Sequence, residues 1–129
     1  MVEEVQKIIE EVGNNGDDWC PILGIRLQPT LYNKKLMQIK KIAEKEGRNP
    51  ENIVFLGHVI MSMEKDYDSA FQKYEAMMKP RLRDRDFTEE LKTCIVGIVD
   101  DCITGIEKYV KAGLNHLIHN PYPHLDNLK

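Results

Sequence analysis

The sequence predicts an α/β fold built on parallel strands. Segments with apolar residues at helical spacing alternate with short apolar runs, in the order α, β, α, β, α, polar linker, α, β. The run at 53–63 (IVFLGHVIMSM) is almost wholly apolar and does not alternate, which is typical of a strand buried on both faces in a parallel sheet. Helices that alternate with strands in this way imply right-handed crossovers.

The first half of the chain is expected to contain two helices and one strand. Apolar residues three or four positions apart predict a helix over 2–12, which the stretch GNNG ends. The apolar stretch 17–23 (DDWCPIL) follows as a short strand. A second helix at 29–46 ends at Gly47. Its buried face is predicted to carry Tyr32, Leu36, Ile39 and Ala43.

The middle of the chain is expected to contain the central strand. We place this strand at 53–61, after a turn at Arg48-Asn49-Pro50. A helix at 65–79 follows, and Pro80 is expected to end it. Residues 79–90 (KPRLRDRDFTEE) are the most polar stretch and form a linker or an exposed helix start.

The last helix and the last strand close the pattern. Apolar residues at helical spacing predict a helix at 98–112, with Asp100 and Asp101 at its positive end. Gly113 ends this helix, and the apolar run 114–119 is the final strand.

Composition excludes several classes of function. The chain has 18 basic and 21 acidic side chains, a net charge of −3 and a pI near 5.8, so it lacks the basic surplus of a nucleic-acid or anionic-membrane binder. It has no apolar run approaching a membrane span, and its acidic N-terminus is not a signal peptide. Three cysteines without CxxC spacing indicate a reducing compartment, so we expect a cytoplasmic protein.

Three stretches of the chain resemble a known pattern. They are DDWCP at 17–21, KIAEKEGRNPENIVF at 41–55 and GIVDDCITGIEKYVKAGLNHLIHNP at 97–121. They look like the "DGW" strand, the Gly-Arg-x-Pro turn with its strand, and the closing helix and strand of the bacterial-luciferase-like family. That family includes flavin monooxygenases and deazaflavin-dependent reductases such as methylene-tetrahydromethanopterin reductase. Asp18 replaces the glycine of DGW, and Ile98-Val99 replace a Thr-Pro helix start, removing a cap worth about 1 kcal/mol.

The resemblance implies a partial β/α barrel, with about three parallel strands and their covering helices. These strands would be the last three of the barrel, and residues 1–129 would form a single partial-barrel domain, well short of the ~250 residues of a complete barrel. An open sheet exposes its edges and an apolar face. We therefore expect either a homo-oligomer, most simply a dimer, or a separate N-terminal half chain as partner.

The candidate binding residues follow from the barrel geometry. Working residues of such barrels lie at the carboxyl ends of strands, which points to His119 and Asn120 as contacts for a cofactor phosphate or a substrate. His58 interrupts an apolar strand and is a third candidate, pointing into the barrel or to a subunit contact. For both histidines a purely structural role stays open. No catalytic residue and no metal site is predicted, since His116 and His119 are an odd number apart and face opposite sides of a strand.

Two functions remain open at this level. The first is a fragment or truncated homologue of a flavin- or deazaflavin-dependent oxidoreductase that is not catalytic alone and binds no cofactor in isolation. The second is an active subunit that transfers hydride from FMN or from 8-hydroxy-5-deazaflavin (coenzyme F-420) once dimerisation or an N-terminal partner completes the barrel.

Overall fold

Helices and strands alternate along the chain, as predicted. The computed structural model describes residues 2–23, 27–82 and 95–121. The helices are α1 (Val2–Asn15), α2 (Pro29–Lys45), α3 (Tyr67–Leu82) and α4 (Val99–Lys111), with a 3-10 turn at Pro50–Asn52. The strands are β1 (Asp18–Trp19), β2 (Val54–Met63), β3 (Ile95–Gly97) and β4 (His116–Pro121). The predicted strands at 17–23, 53–61 and 114–119 correspond to β1, β2 and β4.

Strand β2 lies at the centre of the sheet and pairs in parallel with each of the other three strands. His58 pairs with Ile22 on one edge and with Ile118 on the other, so β1 and β4 lie on opposite edges of β2. Met61 pairs with both β3 and β4, which places β3 on the same edge as β1, at the carboxyl end of β2. The α/β class with a parallel sheet is confirmed, and the sheet is open rather than closed.

Helices α2 and α4 cover one face of this sheet. Side chains of β2 alternate between its two faces, and Phe55, Val59 and Met61 are buried in the main core, with Leu117 of β4 packed against it. We call this side the outer face. The buried members of the main core are Ile9, Trp19, Leu23, Leu27, Tyr32, Leu36, Ile39, Ala43, Ile53, Phe55, Val59, Met61, Ile95, Cys102, Tyr109, Ala112 and Leu114.

The opposite side of the sheet, the inner face, carries Leu56, His58 and Ile118. Helix α3 covers only its carboxyl end. A second, smaller core there contains Ala70, Tyr74, Met77, Met78 and Val96, with Ile60 packed against it. The buried Ser62 hydroxyl donates to the Ala70 carbonyl at 2.8 Å. Leu56 and His58, nearer the amino end of β2, remain only half-buried.

Helix α1 packs closely on α2. A Cβ at Gly13 would lie 2.6 Å from the Ile42 Cβ, so the approach of the two helices requires glycine here. The Arg48 guanidinium then donates to the carbonyls of Val12, Gly13 and Gly16 at the end of α1. A cation at the carboxyl end of a helix satisfies otherwise unpaired carbonyls and opposes the negative end of the helix dipole. Arg48 therefore fixes α1 to the turn before β2.

Three details of the prediction are wrong. Strand β1 spans two residues instead of seven, because Pro21 has no N–H to donate to the ladder and β1 returns to β2 only at the Ile22 bridge. Strand β3 was not predicted. Helix α3 continues past Pro80 to Leu82, and most of the predicted linker lies outside the described residues. Within the described ranges, no helix is long and apolar enough to cross a membrane.

Candidate functional site

A row of three side chains crosses the inner face of the sheet. Ile22, His58 and Ile118 pair in register, and side chains of paired parallel residues point to the same side. Ile22 is 71% exposed and Ile118 is 43% exposed, so two large apolar side chains flank a half-buried imidazole. The inner face therefore exposes two neighbouring large apolar side chains beside one polar group.

Of the three predicted candidates, His58 and His119 lie on opposite faces of the sheet. His58 lies in the row, whereas His119 pairs with Val59, whose side chain is buried on the outer face. His119 is therefore exposed on the opposite side of the sheet from His58. The Asn120 backbone pairs with Ile60.

A histidine that was not a candidate joins His58 on the inner face. His116 pairs with Leu56 and is exposed. It lies two residues before Ile118 on β4, so the two side chains are on the same face. The register of β4 thus confirms the prediction that His116 and His119 face opposite sides of the strand. Sequence reasoning identified the alternation within β4, but only the register with β2 shows which histidines share a face. The described ranges contain no group of three or more His, Cys, Asp or Glu side chains placed to hold a metal ion.

Tyr32 supplies a hydrogen bond next to this row that Pro21 cannot make. The bonds Val54 N–H to Asp17 carbonyl, His58 N–H to Pro21 carbonyl and Leu23 N–H to His58 carbonyl follow the parallel ladder. That ladder would give the Leu56 carbonyl a donor from residue 21, which as proline has none. The Tyr32 hydroxyl donates to the Leu56 carbonyl instead, at 2.9 Å.

Aromatic packing holds Tyr32 in this position. Its ring stacks on Trp19 at a centroid distance of 5.0 Å and meets Tyr109 edge to face at 5.9 Å. Burial raises the pKa of Tyr32, and the nearby Cys20 thiol adds to the rise. The hydroxyl therefore stays protonated as a donor at neutral pH, and it keeps β1 and Ile22 aligned with His58.

Solved structures share this fold, whereas no protein-family model and no curated protein matches the chain. The coenzyme F420-dependent tetrahydromethanopterin reductase of Methanopyrus kandleri matches 91% of the chain with a TM-score of 0.70 and 14% identity. An F420-dependent secondary alcohol dehydrogenase matches 89%, with a TM-score of 0.72 and 16% identity. A long-chain alkane monooxygenase matches 90%, with a TM-score of 0.61 and 17% identity.

The chain spans less than half the length of these proteins. It covers 42%, 40% and 34% of the reductase, the dehydrogenase and the monooxygenase, respectively. At such identities the likeness shows the fold alone. The resemblance to the luciferase-like family and the expectation of a partial, open barrel sheet are confirmed at that level.

Proposed function

We propose that the chain is one part of a flavin- or deazaflavin-dependent oxidoreductase of luciferase-like fold, and that it catalyses no reaction alone. The observation that carries this proposal is the half-buried His58 between exposed Ile22 and Ile118 on the inner face, which is the side that lines the interior of a β/α barrel. The shared fold of two F420-dependent enzymes and a monooxygenase supports the reaction class. In this proposal residues 1–129 act as a single partial-barrel domain in the cytoplasm.

Binding by the isolated chain should fail for a physical reason. A ring cofactor needs a largely preformed pocket that buries most of its surface. The inner face offers a single wall, so the favourable interactions of a ring with that wall do not offset the translational and ordering losses of association. FMN or the deazaflavin would be held only after another chain covers the inner face.

Fluorescence titration of the purified chain with FMN and with the deazaflavin tests this proposal, at chain concentrations at which sedimentation equilibrium shows a monomer. We expect no saturable binding at micromolar cofactor, which corresponds to about −8 kcal/mol, and no hydride-transfer turnover. The His58→Ala variant reports on the inner face, and His119→Ala is the matched control on the outer face. Micromolar binding by the isolated chain that His58→Ala weakens and His119→Ala leaves unchanged would show instead that the single wall is a working site.

A second candidate function is an active subunit, favoured by the presence of both His58 and His116 on the inner face. Once that face is covered, two imidazoles become available to a bound ring or its substrate. The probe is the portion of the Methanopyrus kandleri reductase that lies outside the match, refolded together with this chain. Deazaflavin-linked hydride transfer that appears only in the mixture, and that falls in His58→Ala but not in His119→Ala, supports this function. A mixed complex without turnover contradicts it.

A further inference from the structure

The two ends of the sheet are open in the same way. Strands β1 and β4 each have one edge that faces away from β2. Among the described residues, no strand pairs with either of these edges. Unpaired edges of parallel strands present rows of free N–H and C=O groups that another strand can use. Strand β4 of the same chain cannot pair with β1, because β2 separates the two.

An apolar cleft lies beside the open edge of β1. Its volume is about 650 Å³, and it is bounded by α1, β1 and α2. Helix α1 buries Ile9 and Gly13 toward α2 but leaves Val5 42% exposed and Ile8 54% exposed in the cleft lining. The apolar residues of its lining are Val5, Ile8, Ile9, Val12, Trp19, Cys20, Pro21, Leu27 and Leu31.

Helix α4 carries a matching apolar stripe at the other end of the molecule. Its Ala112 side faces α2, since the Asn33 amide donates to the Ala112 carbonyl at 3.0 Å. Val99, Ile103 and Val110 recur at helical spacing and are each about half exposed. The stripe of α4 and the exposed residues of α1 are thus two helix flanks that nothing in the described part of the chain covers, each at an open end of the sheet.

We propose that a second copy of this chain docks head to tail, with its β4 beside β1 and its α4 stripe against Val5 and Ile8. All strand pairs in the sheet are parallel, so β4 of the second copy can continue the sheet beside β1 in the same direction. A two-fold axis repeats the contact, uses the open strand edges of both copies and prevents open-ended growth. A standard stable interface buries about 1,200–2,000 Å² in total, and the two-fold axis lets both contacts contribute to that area.

This inference deepens the proposed function in one respect, because it names the chain that completes the sheet. It makes no use of a cofactor, so its test is an assembly measurement. A dimer that binds neither FMN nor the deazaflavin supports the proposed interface. The titration described above tests the proposed function separately.

Sedimentation equilibrium of the 129-residue chain measures the assembly directly. We expect twice the chain mass of 15.0 kDa at micromolar concentration. Ile8→Asp on α1 and Ile103→Asp on α4 each place a charge in the apolar contact and should raise the dissociation constant at least about 100-fold. Met37→Asp, at an equally exposed methionine of α2 outside the cleft lining, should leave it unchanged. Circular dichroism confirms that each variant is folded.

Mixing the two variants tests the head-to-tail arrangement. In a mixed dimer of the Ile8→Asp and Ile103→Asp chains, both substitutions fall in one contact and the other contact is intact. The mixture should therefore associate more tightly than either variant alone. The inference is overturned by a monomeric wild-type chain, which would leave a separate partner chain as the occupant. A dimer insensitive to both variants, or a mixture without rescue, overturns it equally.

Discussion

The two faces of β2 differ in how far other parts of the described structure cover them. On the outer face, Phe55 and Val59 are almost wholly buried under α2 and α4. On the inner face, the adjacent Leu56 and His58 are half-buried, and their neighbour Ile118 is 43% exposed. Within the described residues, helices α2 and α4 therefore cover the outer face of β2, whereas α3 covers its inner face only at the carboxyl end. Most of the buried apolar side chains thus belong to the main core on the outer side.

The largest expected loss of stability comes from a substitution on the outer face, and its neighbour on the inner face provides the comparison. Phe55→Ala removes a buried ring that meets Trp19 edge to face at 6.4 Å, and should lower the free energy of unfolding by about 3–5 kcal/mol. Leu56→Ala, one residue away on the inner face, should cost less than half as much, since less apolar surface is lost. Urea unfolding followed by circular dichroism measures both values. Equal costs would mean that the inner face is covered in solution.

The next effect concerns the attachment of α1 to the covered side. Arg48→Met removes the guanidinium bonds to the carbonyls at the end of α1 and should cost about 2 kcal/mol, since charge-assisted hydrogen bonds are the strong ones. Hydrogen exchange should become faster throughout α1, while β2 changes little. Lys45→Met, another cation nearby at the end of α2, serves as the control and should leave exchange in α1 unchanged. Slower or unaltered exchange in the Arg48 variant would contradict the role assigned to this side chain.

A smaller effect is expected where the two faces meet at Tyr32. Tyr32→Phe leaves the Leu56 carbonyl without its donor and should cost about 1 kcal/mol at neutral pH. Because burial raises the pKa of Tyr32 above its unfolded value near 10, its protonated form stabilises the fold fully below that pH, and this contribution is lost as the pH rises further.

The pH dependence separates this role from simple packing. Urea unfolding of both proteins between neutral pH and about pH 11 should show the wild-type advantage shrinking above about pH 10. Tyr67→Phe, at a half-exposed tyrosine of α3, should run parallel to the wild type throughout. A constant difference between wild type and Tyr32→Phe would remove titration of this hydroxyl as the cause.

The smallest effect is expected where α3 covers the inner face. Lys73 on α3 pairs with Glu64, directly after β2, and both side chains are partly exposed. Glu64→Gln should therefore cost only about 0.2–1 kcal/mol, less at high salt, because exposed ion pairs contribute little. Thermal unfolding at low and high salt measures this cost. A loss above about 2 kcal/mol that salt does not reduce would show that α3 depends on this pair rather than on its apolar contacts.

Sequence reasoning identified β2 and the open sheet with its exposed apolar face, although the composition of β2 alone indicated burial on both faces. The run at 53–63 has the composition of a strand buried on both faces, yet half of its side chains are only partly covered. Composition reports the environment that suits a segment, whereas exposure depends on which neighbouring strands and helices are present. The sequence therefore identified His58 as a polar residue within an apolar strand. Only the register of the paired strands shows that Ile22 and Ile118 lie beside it.

The features that were missed depend on single residues with weak local signals. Strand β3 has three residues, too few for periodicity to register. The predicted loss of a side-chain cap at Ile98 is confirmed, but the structure supplies a partial substitute: the Ile98 N–H donates to the Asp101 carboxylate at 3.1 Å. The Tyr32 bond joins residues 24 positions apart and exists because Pro21 lacks a donor, which no local pattern reveals.

The central position of β2 also governs the order in which a newly synthesised chain can fold. Its edge toward β4 must wait for residues 116–121, which are made more than 50 residues after β2 ends. At about 5–20 residues per second, this edge stays unpaired for several seconds on the ribosome. During that time the nascent chain carries an apolar strand with an open edge, which is a substrate for chaperones and a hazard for aggregation. Synthesis that stops before His116 would leave the middle strand of the protein permanently in that state.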